Sequence, residues 1–253
     1  SMRRRFSLFL VLANLSGGIL PAQAATSRPV PAIITEPEVD NAPFAAILHD
    51  TEEASSLIKR AQHAVEQKDW KLVVDSLQRV IDLPGDSVLR TESGTYESAR
   101  RYAHRVIASL PPDGLAAYRL INDSEARARY EKAVAEHDEA TLREIVDRLF
   151  LTRYGDDAAL ALAGWQIDKG QSSNAAALLQ DLKTIYPDPD VSRAEIDCEL
   201  ALALALSGQK TAARQVLLDV EDAAADPAVA SRIQAVRDLV PKLQAADLAV
   251  AGR

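Results

Sequence analysis

Side chains that could carry out chemistry are few in this sequence and stand far apart. The histidines at positions 49, 63, 104 and 137 form no HExxH motif and no paired His/Cys pattern of the kind that binds zinc. His63 and Glu66 are three residues apart and could share one helix face, but this pairing is common in charged helices that bind no metal. We therefore expect no metal site and no bound cofactor.

Motifs for nucleophilic catalysis and nucleotide binding are absent from the sequence as well. It contains no GxSxG elbow, no GxxxxGK(S/T) loop and no Rossmann glycine run. The single cysteine, Cys198, adjoins an apolar run and is expected to be a buried, inert thiol. The acidic pairs Asp156-Asp157 and Glu221-Asp222 stand near predicted helix ends, where carboxylates cap helices or face solvent more often than they act as acid–base pairs. The sequence thus predicts a protein that is not an enzyme.

Two clusters could instead contact a partner. The segment from Ile196 to Leu206 is so apolar that it predicts a helix buried between neighbours or, if exposed, a groove for a partner. Arg101 and Arg105 are four residues apart, hence on one helix face, within a locally basic stretch of an acidic protein. They could form a docking patch for an acidic peptide, or pair with acidic neighbours such as Glu97 and Glu131. The other basic residues of this stretch are Arg100, Arg127, Arg129 and Lys132.

Residues 1–24 predict a secretory signal peptide. Three arginines precede an apolar run that is too short to span a bilayer, and small residues at Ala22 and Ala24 favour cleavage before Ala25. The alternative is an N-terminal helix of the folded protein. We expect export to the periplasm or cell envelope by general secretion, with no integral membrane segment after cleavage. Cleavage would change the formal charge from -8 to -11, because it removes three arginines and no acid, and this negative charge disfavours nucleic acid as a partner.

Prolines divide the rest of the chain. Residues 25–50 contain four prolines and few large apolar side chains, which predicts a disordered linker. From residue 51 to 253, most prolines stand between segments with helical spacing of apolar residues, and no sustained alternation typical of strands occurs. The sequence therefore predicts an all-α domain over 51–253. Within it, one helix is predicted over 94–110, and Asn122 or Asp123 is predicted to cap the start of another.

The predicted helices recur in pairs around short turns. Turns at Lys68, His137, Gly170 and Gly208 are 69, 33 and 38 residues apart, close to two, one and one units of the tetratricopeptide (TPR) period of about 34 residues. Glycine at such a turn accepts a left-handed backbone that other residues resist. The pattern favours a TPR-like helical-repeat solenoid of antiparallel helix pairs over a closed bundle of unrelated helices.

One stretch resembles a known family. The run Ser109-Leu110-Pro111-Pro112-Asp113-Gly114-Leu115-Ala116-Ala117-Tyr118-Arg119 follows the turn at 83–87 and precedes a helix that ends at His137-Asp138. Over about residues 51–225 the chain resembles the N-terminal helical region of secreted planctomycete-type proteins, in which TPR-like repeats precede a pyrroloquinoline-quinone-type β-propeller. The resemblance implies an exported multi-domain protein whose helical part positions or recruits something for the propeller, and it implies no catalytic residues here.

These observations predict an exported, non-enzymatic scaffold that binds a protein or peptide on the inward faces of the first helices of each pair. The alternative is an accessory helical region of a larger propeller protein, truncated here. A second candidate surface is the basic patch of Arg101 and Arg105. The residues expected to contact the partner on the inward faces are Leu160, Gly164, Ile167, Leu202 and Ala205.

Overall fold

The computed structural model describes residues 42–84, 87–90, 96–220 and 230–239. Within these residues the chain forms ten helices and one two-stranded antiparallel sheet. The predicted all-α class is therefore confirmed for most of the described chain, with the small sheet as an exception. In chain order the elements are α1 (Ala42–Glu66), α2 (Trp70–Ile81), β1 (Val88–Arg90), β2 (Tyr96–Ser98), α3 (Ala99–Ala108), α4 (Pro112–Glu136), α5 (Glu139–Arg148), α6 (Gly155–Asp168), α7 (Ser172–Ile185), α8 (Arg193–Leu206), α9 (Lys210–Asp219) and α10 (230–239).

From α5 onward the helices follow one another in space as they do in sequence. Each helix from α5 to α8 packs chiefly against the helices before and after it, α9 packs against α8, and α4 packs against α5 and α2. Ile233 and Val236 of α10 belong to the larger of two apolar core clusters in the described chain. Arg232 of α10 also donates a hydrogen bond to Glu195 of α8 at 3.1 Å. A smaller apolar cluster lies between α4, α5 and α6. It consists of Ala126, Ala133, Leu142, Ile145, Leu149, Ala158 and Leu162.

Four turns with the same backbone geometry separate helices that pack side by side. The predicted turn residues Lys68, His137, Gly170 and Gly208 have φ angles of 57°, 54°, 74° and 85°, and they are the described residues with positive φ. The left-handed backbone predicted at the two glycines is therefore confirmed. In each turn the N–H of the following residue donates to a carbonyl five residues back, as in a Schellman motif. These bonds are Asp69 to Ala64 (3.0 Å), Asp138 to Ala133 (2.9 Å), Gln171 to Gln166 (2.7 Å) and Gln209 to Leu204 (2.8 Å).

The turn geometry predicts opposite effects for two substitutions. Gly170→Val should lower the free energy of unfolding by about 1 kcal/mol or more, because a β-branched side chain disfavours positive φ. A Cβ at Gly170 meets no atom within 4 Å, so the backbone alone is responsible. Lys68→Gly should raise the same quantity by up to about 1 kcal/mol. Urea denaturation of both variants and of the wild type measures the effects. If all three proteins have the same free energy of unfolding, the turn assignment is contradicted.

The helix predicted over 94–110 is wrong at its start. Tyr96–Ser98 instead forms β2, which pairs antiparallel with β1 so that Val88 is opposite Ser98 and Arg90 is opposite Tyr96. Helix α3 begins only at Ala99, where the Ser98 hydroxyl accepts the N–H of Arg101 at 3.5 Å. Strands of three residues are too short to show the alternation by which strands are recognised in a sequence. Their pairing depends on contact between the two segments.

The helix start predicted at Asn122 or Asp123 is wrong as well. Helix α4 continues from Pro112 to Glu136, and both residues lie inside it. The Asn122 amide donates within the helix to the carbonyl of Tyr118 at 2.9 Å. The Asp123 carboxylate accepts the N–H of Arg153, in the segment between α5 and α6, at 3.0 Å. Each side chain that the sequence offers as a cap is thus used in another way, one inside the helix and one across the fold.

The described chain begins inside the predicted linker. Helix α1 starts at Ala42, within the span of residues 25–50 for which a disordered linker was predicted. Proline at position 43 is compatible with a first helical turn, where its missing N–H leaves no bond unmade. The predicted signal peptide and residues 25–41 lie outside the described residues. No described helix combines the length and the apolar composition that crossing a bilayer requires.

Candidate partner-binding surface

Helix α8 is buried on nearly all sides. The prediction that the apolar segment Ile196–Leu206 packs between neighbours is confirmed for Ile196 to Ala205, which are all buried, whereas Leu206 at the end of the helix is exposed. Even its acidic side chains have partners, because Asp197 pairs with Lys183 at 2.7 Å and Glu199 pairs with Arg232. Helix α8 therefore contributes to the core of the row of helices and presents little surface to a partner.

Burial also limits the area that the five residues predicted to line the inward faces could offer to a partner. Leu202 and Ala205 are only 6% and 2% exposed, and Gly164 is buried. Leu160 and Ile167 are half-buried and pack against the same core cluster that contains the two α8 residues. Four of the five thus belong to one apolar core cluster or pack against it, and only Leu160 and Ile167 of this set keep appreciable exposed area.

Acidic partners surround the basic stretch. Arg105 pairs with Glu97 at 2.7 Å, and Arg101 pairs with Asp181 of α7. Arg127 pairs with Glu131 at 2.9 Å. The remaining members of the stretch also have carboxylates within ion-pair distance, so the basic patch is neutralised within its own chain. These further pairs are Arg100–Asp147 (3.8 Å), Arg129–Glu125 (2.7 Å), Arg129–Glu144 (3.1 Å) and Lys132–Glu136 (3.9 Å).

Two separate pairs of rings lie along the contact between α4 and α6, beside the smaller apolar cluster. The Tyr130 and Tyr154 rings lie 6.1 Å apart between centroids, and the His137 ring stacks on that of Trp165 at 5.5 Å with an interplanar angle of 11°. Tyr130, Tyr154 and Trp165 are half-buried, and His137 is exposed. We call these four residues the aromatic surface.

Each ring of this surface is held by a distinct local feature. Tyr130 lies on α4 between Ala126 and Ala133, whose small, fully buried side chains let α4 approach its neighbours closely. His137 occupies the left-handed turn between α4 and α5. Trp165 lies in the last turns of α6, and its position is fixed by packing against the smaller cluster.

The fourth ring, that of Tyr154, belongs to a segment that Arg119 ties to α4. The guanidinium of Arg119 donates to the carbonyl of Leu151 at 3.2 Å and forms a bidentate pair with Asp188 at 2.7 and 2.5 Å. The hydrogen bond from Arg119 holds the pKa of Asp188 below its ordinary value. This arginine therefore joins α4, the segment between α5 and α6, and the segment between α7 and α8.

Two further hydrogen bonds stabilise the same region. The Tyr186 hydroxyl donates to the carbonyl of Thr152 at 2.6 Å, and the Asp156 carboxylate accepts the N–H of Asp190 at 2.8 Å. Burial raises the pKa of both Tyr186 and Asp156. Because these groups are buried and bonded, the segment that carries Tyr154 is fixed on both sides.

Charged groups beside the rings are paired within the chain. Glu139, two residues after His137, pairs with Lys169, four residues after Trp165, and with Arg143 at 2.7 Å. The hydrogen bond from Lys169 lowers the pKa of Glu139. The rings are therefore the groups of this surface best suited to meet a partner. Half-exposed Tyr and Trp combine a large apolar face with a polar edge, and such residues dominate the energetics of protein interfaces.

The sequence did not identify this surface as a site. The helical spacing of apolar residues indicates only that Tyr130 and Trp165 lie on the apolar faces of their helices, and it gives no role to Tyr154. Within α6, Trp165 follows Ala161 by four residues and Tyr154 stands at the helix start, so the spacing alone places them along one side. What the sequence lacks is any sign that α4 places Tyr130 against the same side, because that contact depends on how α4 and α6 pack.

Comparisons with known proteins give no relative for this chain: no protein-family model, no curated protein and no solved structure matches it. The resemblance to propeller-associated helical regions therefore stays a prediction. The distinctive Pro111-Pro112-Asp113-Gly114 motif has a structural role of its own. Pro112 starts α4, and a Cβ at Gly114 would come within 3.1 Å of the Trp70 ring.

Proposed function

We propose that this protein is a non-enzymatic scaffold that binds a protein or peptide through the aromatic surface. The observation that carries the proposal is the pair of ring contacts, Tyr130 with Tyr154 and His137 with Trp165, at a half-exposed seam between two helices. The segment that carries Tyr154 is braced by buried hydrogen bonds, so the rings are ordered before a partner arrives. Preorganised rings lose little conformational entropy on binding.

We also propose that the helices form a TPR-like solenoid. The four pairs would be α1–α2, α4–α5, α6–α7 and α8–α9. Strands β1 and β2 and helix α3 would be inserted after the first pair. Two features support this proposal: the left-handed turn recurs within every one of these pairs, and the helices from α5 onward pack in chain order. In such a solenoid α4 and α6 are first helices of adjacent pairs, so the aromatic surface would belong to the face that the first helices share.

The partner that this surface fits is an extended segment with proline or aromatic side chains. Flat ring faces accept such side chains, and the phenol and indole edges can hydrogen-bond the backbone of an extended peptide. We also propose export to the periplasm or cell envelope. The support for it is the sequence of residues 1–24. The basic patch is a weaker candidate, since Arg101 and Arg105 each pair with a carboxylate of the same chain.

The proposal predicts that ring removal weakens peptide binding. Peptides selected from a displayed random library against the full chain should bind with an affinity that Tyr154→Ala lowers about tenfold or more, the usual loss for a central aromatic contact. The sequence contains two tryptophans, so Trp70→Phe leaves Trp165 as the single tryptophan reporter. In that background, binding should shift the Trp165 emission, and isothermal titration calorimetry gives the affinity of each variant.

Matched variants separate the candidate surfaces. Leu218→Ala removes an exposed leucine on α9 and should leave the affinity unchanged. Loss of binding only in the Arg101→Glu/Arg105→Glu variant would transfer the site to the basic patch, and loss only in Leu160→Ala/Ile167→Ala would transfer it to the inward face of α6. Peptides that bind Tyr154→Ala as tightly as the unaltered chain, without any change in Trp165 emission, would contradict the aromatic surface.

A further inference from the structure

Helix α4 also exposes an apolar ridge on the side away from its buried face. Leu120 is 86% exposed and Ile121 is 52% exposed, and they are consecutive in the sequence. Other large apolar side chains with exposure of this order in the described residues are Tyr96, Leu206 and Leu218. A leucine and an isoleucine side by side on a solvent-facing helix leave a large apolar area in contact with water.

The residues around Leu120 and Ile121 repeat with a spacing suited to another helix. Ala117, Ile121, Ser124 and Ala128 are separated by four, three and four residues, which is the spacing of a helix–helix seam. The small side chains in this series allow a second helix to approach closely, and Leu120 adjoins them on one side. We call these five residues the α4 ridge.

We propose that the α4 ridge is the contact surface between two copies of this chain, packed antiparallel about a twofold axis through Leu120. The charges flanking the ridge point to a second copy. With Leu120 opposite the second copy's Leu120, residue numbers that face each other add up to about 240, so Asp113 lies opposite the second copy's Arg127. Symmetry then forms the same pair twice. Both residues are exposed in this chain.

A parallel arrangement lacks this complementarity, because it would place each Asp113 beside another Asp113 and each Arg127 beside another Arg127. Like charges in contact disfavour association. Arg127 already pairs with Glu131 of its own chain, and an exposed guanidinium with five donors can contact two carboxylates. The contact from Asp113 to Arg127 would cover about 20 Å of helix length, at 1.5 Å per residue. This is small for a stable interface, so the expected association is weak and depends on concentration.

Sedimentation equilibrium on the full chain over roughly 1 μM to 1 mM protein tests this inference. We expect a reversible monomer–dimer equilibrium whose dissociation constant rises about tenfold or more in Leu120→Glu. The matched control is Leu218→Glu, which places the same charge on an exposed leucine of α9 and should leave the dissociation constant unchanged. A chain that stays monomeric at all concentrations, or equal effects of the two glutamate variants, would overturn the proposal.

Charge exchange and cross-linking test the antiparallel register. Asp113→Arg and Arg127→Asp should each weaken the dimer, and the double variant should restore it. In a Cys198→Ser background, Leu120→Cys should be joined to the second copy by a short bismaleimide. Ala135→Cys should not, because the two thiols would stand about 45 Å apart along the axis at 1.5 Å per residue. Efficient cross-linking of both cysteine variants, or no restoration in the double variant, would overturn the antiparallel arrangement.

Discussion

Gly155→Ala is expected to destabilise this protein more than the same substitution at Gly114, Gly170 or Gly208. A Cβ at this position would overlap the carbonyl oxygen of Phe150 and lie 2.5 Å from its carbon. Both are backbone atoms, so no change of rotamer can relieve the overlap. Gly155 is buried at the start of α6, and Phe150 is itself buried against the Tyr186 ring. We expect a loss of about 3 kcal/mol or more in the free energy of unfolding, measured by urea denaturation.

A matched glycine provides the control for this prediction. Gly208→Ala adds the same methyl group at a turn where no atom lies within 4 Å of the new Cβ. Its effect should therefore be limited to the strain of a left-handed alanine, about 1 kcal/mol. Similar losses for Gly155→Ala and Gly208→Ala would show that the backbone near Phe150 yields easily. The braced segment would then not be rigid, and the preorganisation of Tyr154 would lose its support.

The turns were predictable because their chemistry is local. Gly170 and Gly208 indicate a left-handed residue directly, and the hydrogen bonds that close each turn span only five residues. At Lys68 and His137 the residue type gives no such indication, yet the same geometry forms. In both cases the following aspartate caps the next helix: Asp69 accepts the N–H of Leu72 at 3.1 Å, and Asp138 accepts the N–H of Thr141 at 3.1 Å. An aspartate cap thus compensates for the missing glycine.

Features that depend on tertiary contacts were not predictable in the same way. The role of Asp123 is fixed by the N–H of Arg153, thirty residues away in the chain, and not by its own helix. The β1–β2 pair depends on two three-residue segments meeting. At the candidate site, the rings of Tyr130 and Trp165 were visible as apolar residues, but their grouping with Tyr154 and His137 depends on the packing of α4 against α6. Spacing within one helix shows which residues share a face, and it does not show what that face meets.

The second large effect concerns acid stability and arises from His104. This histidine is buried on α3, with its ring 5.5 Å from that of Phe150, and its Nε2 atom has no hydrogen-bond partner among the described residues. Burial, aided by the nearby charge of Arg100, lowers its pKa from 6.5 to about 3. Between these two values the unfolded chain binds a proton that the folded chain does not. The contribution of neutral His104 to stability is therefore complete above pH 6.5 and is lost as the pH falls toward 3.

We expect this one group to lower the free energy of unfolding by about 3 kcal/mol between pH 7.5 and pH 4.5, since each pH unit below 6.5 contributes about 1.4 kcal/mol. The measurement is urea denaturation of the wild type and of His104→Phe at several pH values. The variant keeps a ring beside Phe150 and removes the titrating group. Asp156 and Asp181, whose pKa values burial raises, act in the opposite direction over this range. They are present in both proteins, so they cancel in the difference.

The difference between the two proteins should be constant above pH 7.5, where the imidazole is neutral in both the folded and the unfolded chain. Below that pH the wild type should lose stability faster than His104→Phe, and the gap should widen until about pH 4.5. Parallel pH profiles would mean that His104 takes up a proton in the folded chain, which requires solvent or a carboxylate to reach Nε2. The packing of α3 against the segment that holds Phe150 would then be looser than the structure shows, and that segment continues directly into the braced turn that carries Tyr154.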